Sequence, residues 1–192
     1  MIVLASNSAS RRAMLDAAGV AYRSQPAEVD ERLIEAGMAG AVPATVATAL
    51  AKAKAESVNG GGLLVLGSDS LVTVNGRRFD KPRDRAEAAE HLRAFSGQVM
   101  ALHSAAAIAR DGAVIWSEAA VARLRVRPLS DAFIAQYLAA EWPAVTGCVG
   151  VFRIEALGVQ LFEAIKGDHF TVLGMPLLPV LAALRDLGEL PA

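Results

Sequence analysis

Apolar and polar positions follow one another in short runs and helical stripes along the chain. Residues 2–5 form an apolar run that predicts a short strand, followed by hydroxyl side chains. A helix is then readable from Ala13, Met14, Leu15, Ala17 and Ala18, with Gly19 as its stop. Residues 21–25 read as a second strand and lead into the acidic turn Glu28-Val29-Asp30-Glu31. Residues 44–58 predict an alanine-rich helix, broken by Asn59-Gly60-Gly61-Gly62. Residues 63–67 are a continuous apolar run of the kind a buried central strand shows. Residues 71–74 and 77–79 flank Asn75-Gly76, a type I′ hairpin signal. Asp84 caps a helix over 85–95 that Ser96-Gly97 ends, and two long strands, 99–109 and 113–126, meet at Asp111-Gly112. Ser130 caps a helix through residue 140, and residues 149–154 and 159–165 read as strands. Pro176 starts a closing helix to residue 187, stopped by Gly188. Strand–helix units in the first half and hairpins in the second predict an α/β fold: a mixed, twisted β-sheet with flanking helices, one domain over residues 1–192.

Composition narrows the function. A chain of 192 residues that is 54% hydrophobic can bury a full core. A net charge of −1 argues against a general nucleic-acid binder, so a bound anion would be small and held locally. The single cysteine, Cys148, excludes an internal disulfide and a Cys-based zinc site and fits a reducing compartment. No charged leader with an apolar run follows Met1, and the apolar stretch 175–184 carries two prolines and is too short to span a bilayer. The expectation is a soluble, cytoplasmic protein with neither a membrane nor a nucleic acid as partner.

The first strand runs through Ser6, Ser8 and Ser10 into Arg11 and Arg12 at the start of a helix. Free backbone N–H groups, the positive end of the helix dipole and two guanidinium groups together suit phosphate oxygens. A serine-rich cap followed by solvated arginines is the plainer reading of the same residues. Asp69, in Ser68-Asp69-Ser70 beyond the apolar run, is the best catalytic candidate, because a carboxylate at the end of a buried strand needs a cation or a chemical task. Otherwise it is a turn aspartate bonded to local backbone. Pro82 stiffens the chain behind Lys81, making it a phosphate-ligand candidate, with Lys54 and Lys52 ambiguous on their helix. Glu28, Asp30 and Glu31 are hard oxygen donors suited to Mg²⁺ or Mn²⁺, or simply a solvated acidic turn. The histidines 91, 103 and 169 lack metal-ligand spacing, and His91 reads as a helix-surface residue. No Walker loop, dinucleotide fingerprint or Ser-His-Asp set is evident.

These stretches, in this order, resemble the Maf family of nucleoside triphosphate pyrophosphatases almost end to end. Leu4-Ala5-Ser6-Asn7-Ser8-Ala9-Ser10-Arg11-Arg12 is similar to the family's Leu-Ala-Ser-x-Ser-Pro-x-Arg-Arg signature, with Ala9 in place of Pro. Glu28 to Glu31, Leu50-Ala51-Lys52-Ala53-Lys54-Ala55, Gly67-Ser68-Asp69-Ser70, Lys81-Pro82 and the 167–176 segment resemble its further motifs. The resemblance implies an architecture like that of Maf and inosine triphosphatase proteins, two lobes around a cleft, and a homodimer is compatible with it. It implies a hydrolase that splits nucleoside triphosphates between the α- and β-phosphates with a divalent metal, Mg²⁺ or Mn²⁺, in a house-cleaning role. Asp69 is then the general base, Glu31 a metal ligand, and Ser8, Arg11, Arg12, Lys54 and Lys81 bind the substrate. Lys54 rather than Lys52 is the functional lysine, and Arg12 is weighted above Arg11.

Ser10, Ser70 and Glu155 fall where the family's subtypes differ. The 148–155 segment is nearer the 7-methyl-GTP branch, while Ser10 and Ser70 depart from that branch's usual residues. The other readings are a dTTP/UTP pyrophosphatase of the same family, an inosine/xanthosine triphosphatase, and a nucleotide-binding regulator of septum formation with little turnover.

Overall fold

The computed structural model describes residues 1–191. The chain divides into two compact units: residues 1–70, 103–120 and the stretch from Asp168 form the first, and residues 71–102 and 121–167 the second. Among the described residues seven strands form one sheet in the hydrogen-bonded order β2 (Tyr22–Ser24), β1 (Ile2–Leu4), β3 (Val65–Val74), β5 (Val99–Arg110), β6 (Ala113–Val126) and β7 (Phe162–Lys166), with β4 (Arg77–Phe79) on β3. This is the mixed α/β sheet that the hydropathy pattern predicts.

In the first unit, β1 (Ile2–Leu4) is buried throughout and pairs in parallel with β2 (Tyr22–Ser24) on one side and β3 (Val65–Val74) on the other. Helix α1 (Ala9–Ala17) follows β1 and buries Met14 and Leu15. Ile2, Leu4, Met14, Leu15, Leu66 and Ile108 join residues of α7 (Leu177–Asp186) in one apolar core. Two short helices lie outside the sequence expectation. Asp30 caps α2 (Glu31–Ala36) by accepting from the Leu33 N–H, so the acidic turn begins a helix. Asp168 caps α6 (His169–Val172) through the Thr171 N–H. Helix α3 (Pro43–Glu56) buries Val46, Ala47, Leu50, Ala51 and Ala55.

Strand β3 corrects the expectation of two separate strands. Its polar triplet continues the ladder because each side chain finds a partner: Ser68 on the Gly174 carbonyl, Asp69 on Lys54 and Ser70 on Ser104. Asp69 therefore lies within a strand, not beyond its end.

In the second unit, Asn75 and Gly76 both have positive φ, as a type I′ turn requires, and join β3 to β4 (Arg77–Phe79). Asp84 caps α4 (Arg85–Phe95) and Ser130 caps α5 (Asp131–Glu141), as the sequence predicts. Strands β5 (Val99–Arg110) and β6 (Ala113–Val126) flank the Asp111-Gly112 turn. Residues 149–154 are not a strand. The Val151 N–H donates to the Cys148 carbonyl, Val151 takes φ +54°, and its own carbonyl receives the Tyr137 hydroxyl, so these apolar residues bury as a turn. The next strand starts later than expected. A 3-10 turn over Leu157–Leu161 precedes β7 (Phe162–Lys166), which pairs antiparallel with β6. His91 is also corrected: it is buried, with its ring 5.1 Å from Phe79 and 6.0 Å from Phe95. No helix among the described residues is long and apolar enough to cross a membrane.

Candidate functional site

The turn from β1 into α1 is pinned before it reaches the arginines. The Ser24 hydroxyl donates to the Ser6 carbonyl at 2.6 Å, and the Ser6 hydroxyl accepts from the Ser8 N–H at 3.1 Å. Ser8 is the N-cap of α1, accepting from the Arg11 N–H at 3.4 Å, and its hydroxyl meets that of Ser10 at 3.1 Å. The Ser8 hydroxyl takes the Arg11 N–H and the Ser8 carbonyl takes the Arg12 N–H, which leaves the N–H groups of Ala9 and Ser10 at the start of the helix.

Arg11 turns inward from that helix end. Its Nε donates to the Gly174 carbonyl at 3.1 Å and its Nη1 to the Ser6 hydroxyl at 3.4 Å. These two bonds use two of five N–H donors, and three remain for a ligand. Burial pushes the Arg11 pKa down, against the pull of the Asp69 and Glu31 carboxylates. A guanidinium held in protein with donors to spare is a standing site for an anion. Arg12, the residue weighted higher on sequence grounds, is exposed.

Lys54 and Asp69 meet because α3 lies directly on β3. Gly67 permits this: a Cβ there would collide with the Ala51 carbonyl and sit 2.6 Å from the Ala55 amide nitrogen. Lys54 Nζ reaches Asp69 Oδ1 at 2.6 Å and Glu31 Oε1 at 2.8 Å. The Lys54 and Asp69 side chains are 13% and 10% exposed, whereas Glu31 is 48% exposed, so the chain of charges runs from the interior outward. Lys52 lies elsewhere, lining a surface hollow with Met38, Thr45, Thr48 and Ala119. Arg11, Asp69, Lys54 and Glu31 form alternating charges that sum to about zero, which limits the cost of holding them out of water.

The remaining predicted residues are placed as follows. The Ser70 hydroxyl is engaged by Ser104 at 2.7 Å and by the Gly174 carbonyl at 3.0 Å. Lys81 and Glu155 lie exposed in the second unit. Both act on the Cys148 thiol, whose pKa burial raises and Glu155 raises further, while Arg153 and Lys81 oppose. Arg153 donates to Glu141 at 2.9 Å, and Glu141, itself buried, also accepts the Leu157 N–H at 3.4 Å. The sequence reading named Ser6 and Ser68 within their motifs but gave no role to this pair, to Ser104 or to the Gly174 carbonyl. Only Ser104 carried a signal, a lone hydroxyl beside the apolar run Ala105 to Ala109.

No group of three or more His, Cys, Asp and Glu residues able to hold a metal occurs among the described residues. Asp69 and Glu31 are nonetheless hard donors joined through one lysine, and Mg²⁺ commonly takes one or two carboxylates together with substrate phosphates. Lys54 Nζ occupies Asp69 Oδ1 and Glu31 Oε1, and of the two carboxylates Glu31 is the more open to such an ion.

The family model described as Maf-like protein matches residues 1–187. A 7-methyl-GTP pyrophosphatase of Rhizobium etli is 48% identical, over 98% of this chain and 97% of its own. A nucleoside triphosphate pyrophosphatase of Sphingopyxis alaskensis is 46% identical, over 99% of this chain and 98% of its own. A solved HAM1 protein from Coxiella burnetii covers 65% of this chain and 72% of that chain at 17% identity, with a TM-score of 0.40.

Proposed function

The chain belongs to the Maf-like protein family, and from that premise we propose that it hydrolyses nucleoside triphosphates between the α- and β-phosphates. The products are the nucleoside monophosphate and pyrophosphate, and the role is removal of unwanted nucleotides. The observation that carries this reading is the charge chain Arg11–Asp69–Lys54–Glu31 beside the N-terminus of α1.

Each member has a task. Asp69 accepts a proton from the attacking water as its oxygen bonds to the α-phosphorus. The bond from that phosphorus to the bridging oxygen breaks, and pyrophosphate leaves with the electron pair. Arg11, through its three remaining N–H donors, and the N–H groups of α1 stabilise charge that grows on the leaving group. Lys54 orients Asp69 and adds positive charge. Because the four charges sum to about zero, a triphosphate brings more negative charge than the cluster offsets. Glu31, the exposed carboxylate of the cluster, would hold a divalent cation, Mg²⁺ or Mn²⁺, that would supply the missing positive charge.

We infer the preferred base from the identity of Glu155, which stands at the position where the family's branches differ. An ionised carboxylate only accepts hydrogen bonds, so it favours a base edge rich in N–H donors, and a 7-methylated guanine adds a positive charge. The names of relatives such as the Rhizobium etli protein support the same choice. Pyrophosphate release from 7-methyl-GTP, GTP, CTP, UTP and dTTP, with Mg²⁺ or Mn²⁺, tests the reading. The 7-methylated nucleotide is expected to give the highest kcat/KM. Preference for dTTP and UTP places the chain in the other branch of the family, and tight nucleotide binding without turnover points to a regulator.

A further inference from the structure

The carbonyl oxygen of Gly174 is the centre of a hydroxyl network in the first unit. Three donors reach it: Ser70 Oγ at 3.0 Å, Arg11 Nε at 3.1 Å and Ser68 Oγ at 3.3 Å. A carbonyl oxygen has two lone pairs, so three donors oversubscribe it. Ser70 Oγ is also 2.7 Å from Ser104 Oγ, and the Ser104 hydroxyl donates to the Thr171 carbonyl at 2.8 Å. Ser68 and Ser104 are fully buried, so water does not complete the set for them.

Counting hydrogens resolves the oversubscription. Each serine has one hydroxyl hydrogen, and the Thr171 carbonyl can only accept, so that bond takes the hydrogen of Ser104. The hydrogen between the two serines then comes from Ser70, which leaves none for Gly174. The Gly174 carbonyl keeps one lone pair for Ser68 and one for Arg11. We propose that Ser104 is a positioning residue for Arg11, acting through Ser70 and the Gly174 carbonyl. By accepting the Ser70 hydrogen, Ser104 preserves the bond that fixes the plane of the guanidinium and the direction of its unused donors. Without Ser104, the Ser70 hydroxyl turns to Gly174 and competes with Arg11 Nε.

This role rests on the reading that Arg11 binds phosphate, and inorganic pyrophosphate tests it separately from turnover. The full chain is compared with Ser104→Ala, Ser104→Thr, Ser70→Ala/Ser104→Ala, Arg11→Lys and Arg11→Lys/Ser104→Ala, each checked for folding by thermal unfolding. Pyrophosphate Kd is measured by titration calorimetry with Mg²⁺ present, alongside kcat and KM for the preferred triphosphate. Ser104→Ala is expected to weaken pyrophosphate binding and kcat/KM by about tenfold, a loss that vanishes when Arg11 is already lysine. Ser104→Thr, which keeps the hydroxyl, is expected to stay within about twofold of the wild type. Removing the Ser70 competitor in the double variant is expected to restore pyrophosphate affinity. Unchanged binding in Ser104→Ala, an equal loss with and without Arg11, or no rescue by Ser70→Ala overturns the positioning role. A wild type that binds pyrophosphate through Arg11 and Ser104 but turns over no triphosphate overturns the hydrolase reading alone.

Discussion

Successive residues of a helix are turned by about 100° from each other, so Arg11 and Arg12 point in different directions, Arg11 half-buried and Arg12 exposed. Arg11 shares its face with Met14 and Leu15, three and four positions on, and both are buried. That spacing was present in the sequence and favours Arg11, whereas the motif resemblance weights Arg12 above it. The same geometry separates Lys54, beside buried Ala51 and Leu50 of α3, from Lys52. Arg11→Ala and Lys54→Ala are therefore each expected to cost about 2–4 kcal/mol in kcat/KM, and Arg12→Ala and Lys52→Ala far less. Equal losses within either pair would refute the assignment of faces. Asp69→Asn keeps the side chain's size but not its basicity, so kcat should fall by about 10²-fold or more while the thermal midpoint stays near that of the wild type. An asparagine variant with near-normal kcat would remove Asp69 from the role of base.

Elements bring these residues together, and α3 lies against β3 at Gly67 with no room for a side chain between them. Gly67→Ala puts a methyl group against the Ala51 carbonyl and the Ala55 amide, backbone atoms that cannot rotate away. The helix must shift outward, at about 1–3 kcal/mol of stability, and Lys54 moves with it. Denaturant unfolding should show the loss, and pyrophosphate release should fall more than stability alone explains. A variant with wild-type stability and activity would mean that the contact is slack. Most element types were legible in the chain because caps and turns announce them: Asp84, Ser130, Asn75-Gly76 and Asp111-Gly112 all mark the boundaries expected. Failures occur where tertiary partners override local pattern. Ser68-Asp69-Ser70 reads as a strand end, yet buried partners let β3 continue. The stretch 149–154 reads as a strand, yet the Tyr137 hydroxyl and the φ of Val151 make it a turn that buries Val151, Phe152 and Ile154.

The stability of the molecule as a whole should respond to acid in two stages, each set by a named group. Burial holds the His91 pKa below its usual 6.5, with Arg77 adding to the effect and Glu87, Glu90 and Asp80 opposing it. Its Nδ1 has no hydrogen-bond partner, so no hydrogen bond at that nitrogen offsets the cost of burying the protonated ring. The unfolded chain then binds the proton more readily than the folded one. The contribution of His91 is complete above pH 6.5 and is lost as pH falls from there toward the lowered folded value. Glu87 acts later. The side chain and N–H of Arg83 hydrogen-bond to it and hold its pKa at about 2, so its contribution is complete above 4.5 and is lost as pH falls toward 2. Thermal unfolding of the wild type should therefore weaken in a first step beginning near pH 6.5 and a second beginning near pH 4.5. His91→Phe, which keeps an aromatic ring between Phe79 and Phe95, should flatten the first step and spare the second. Arg83→Ala, which removes the side-chain bond to Glu87 but keeps the backbone N–H, should weaken the second step and spare the first. A first step that survives His91→Phe unchanged would show that a different group governs the onset of acid sensitivity.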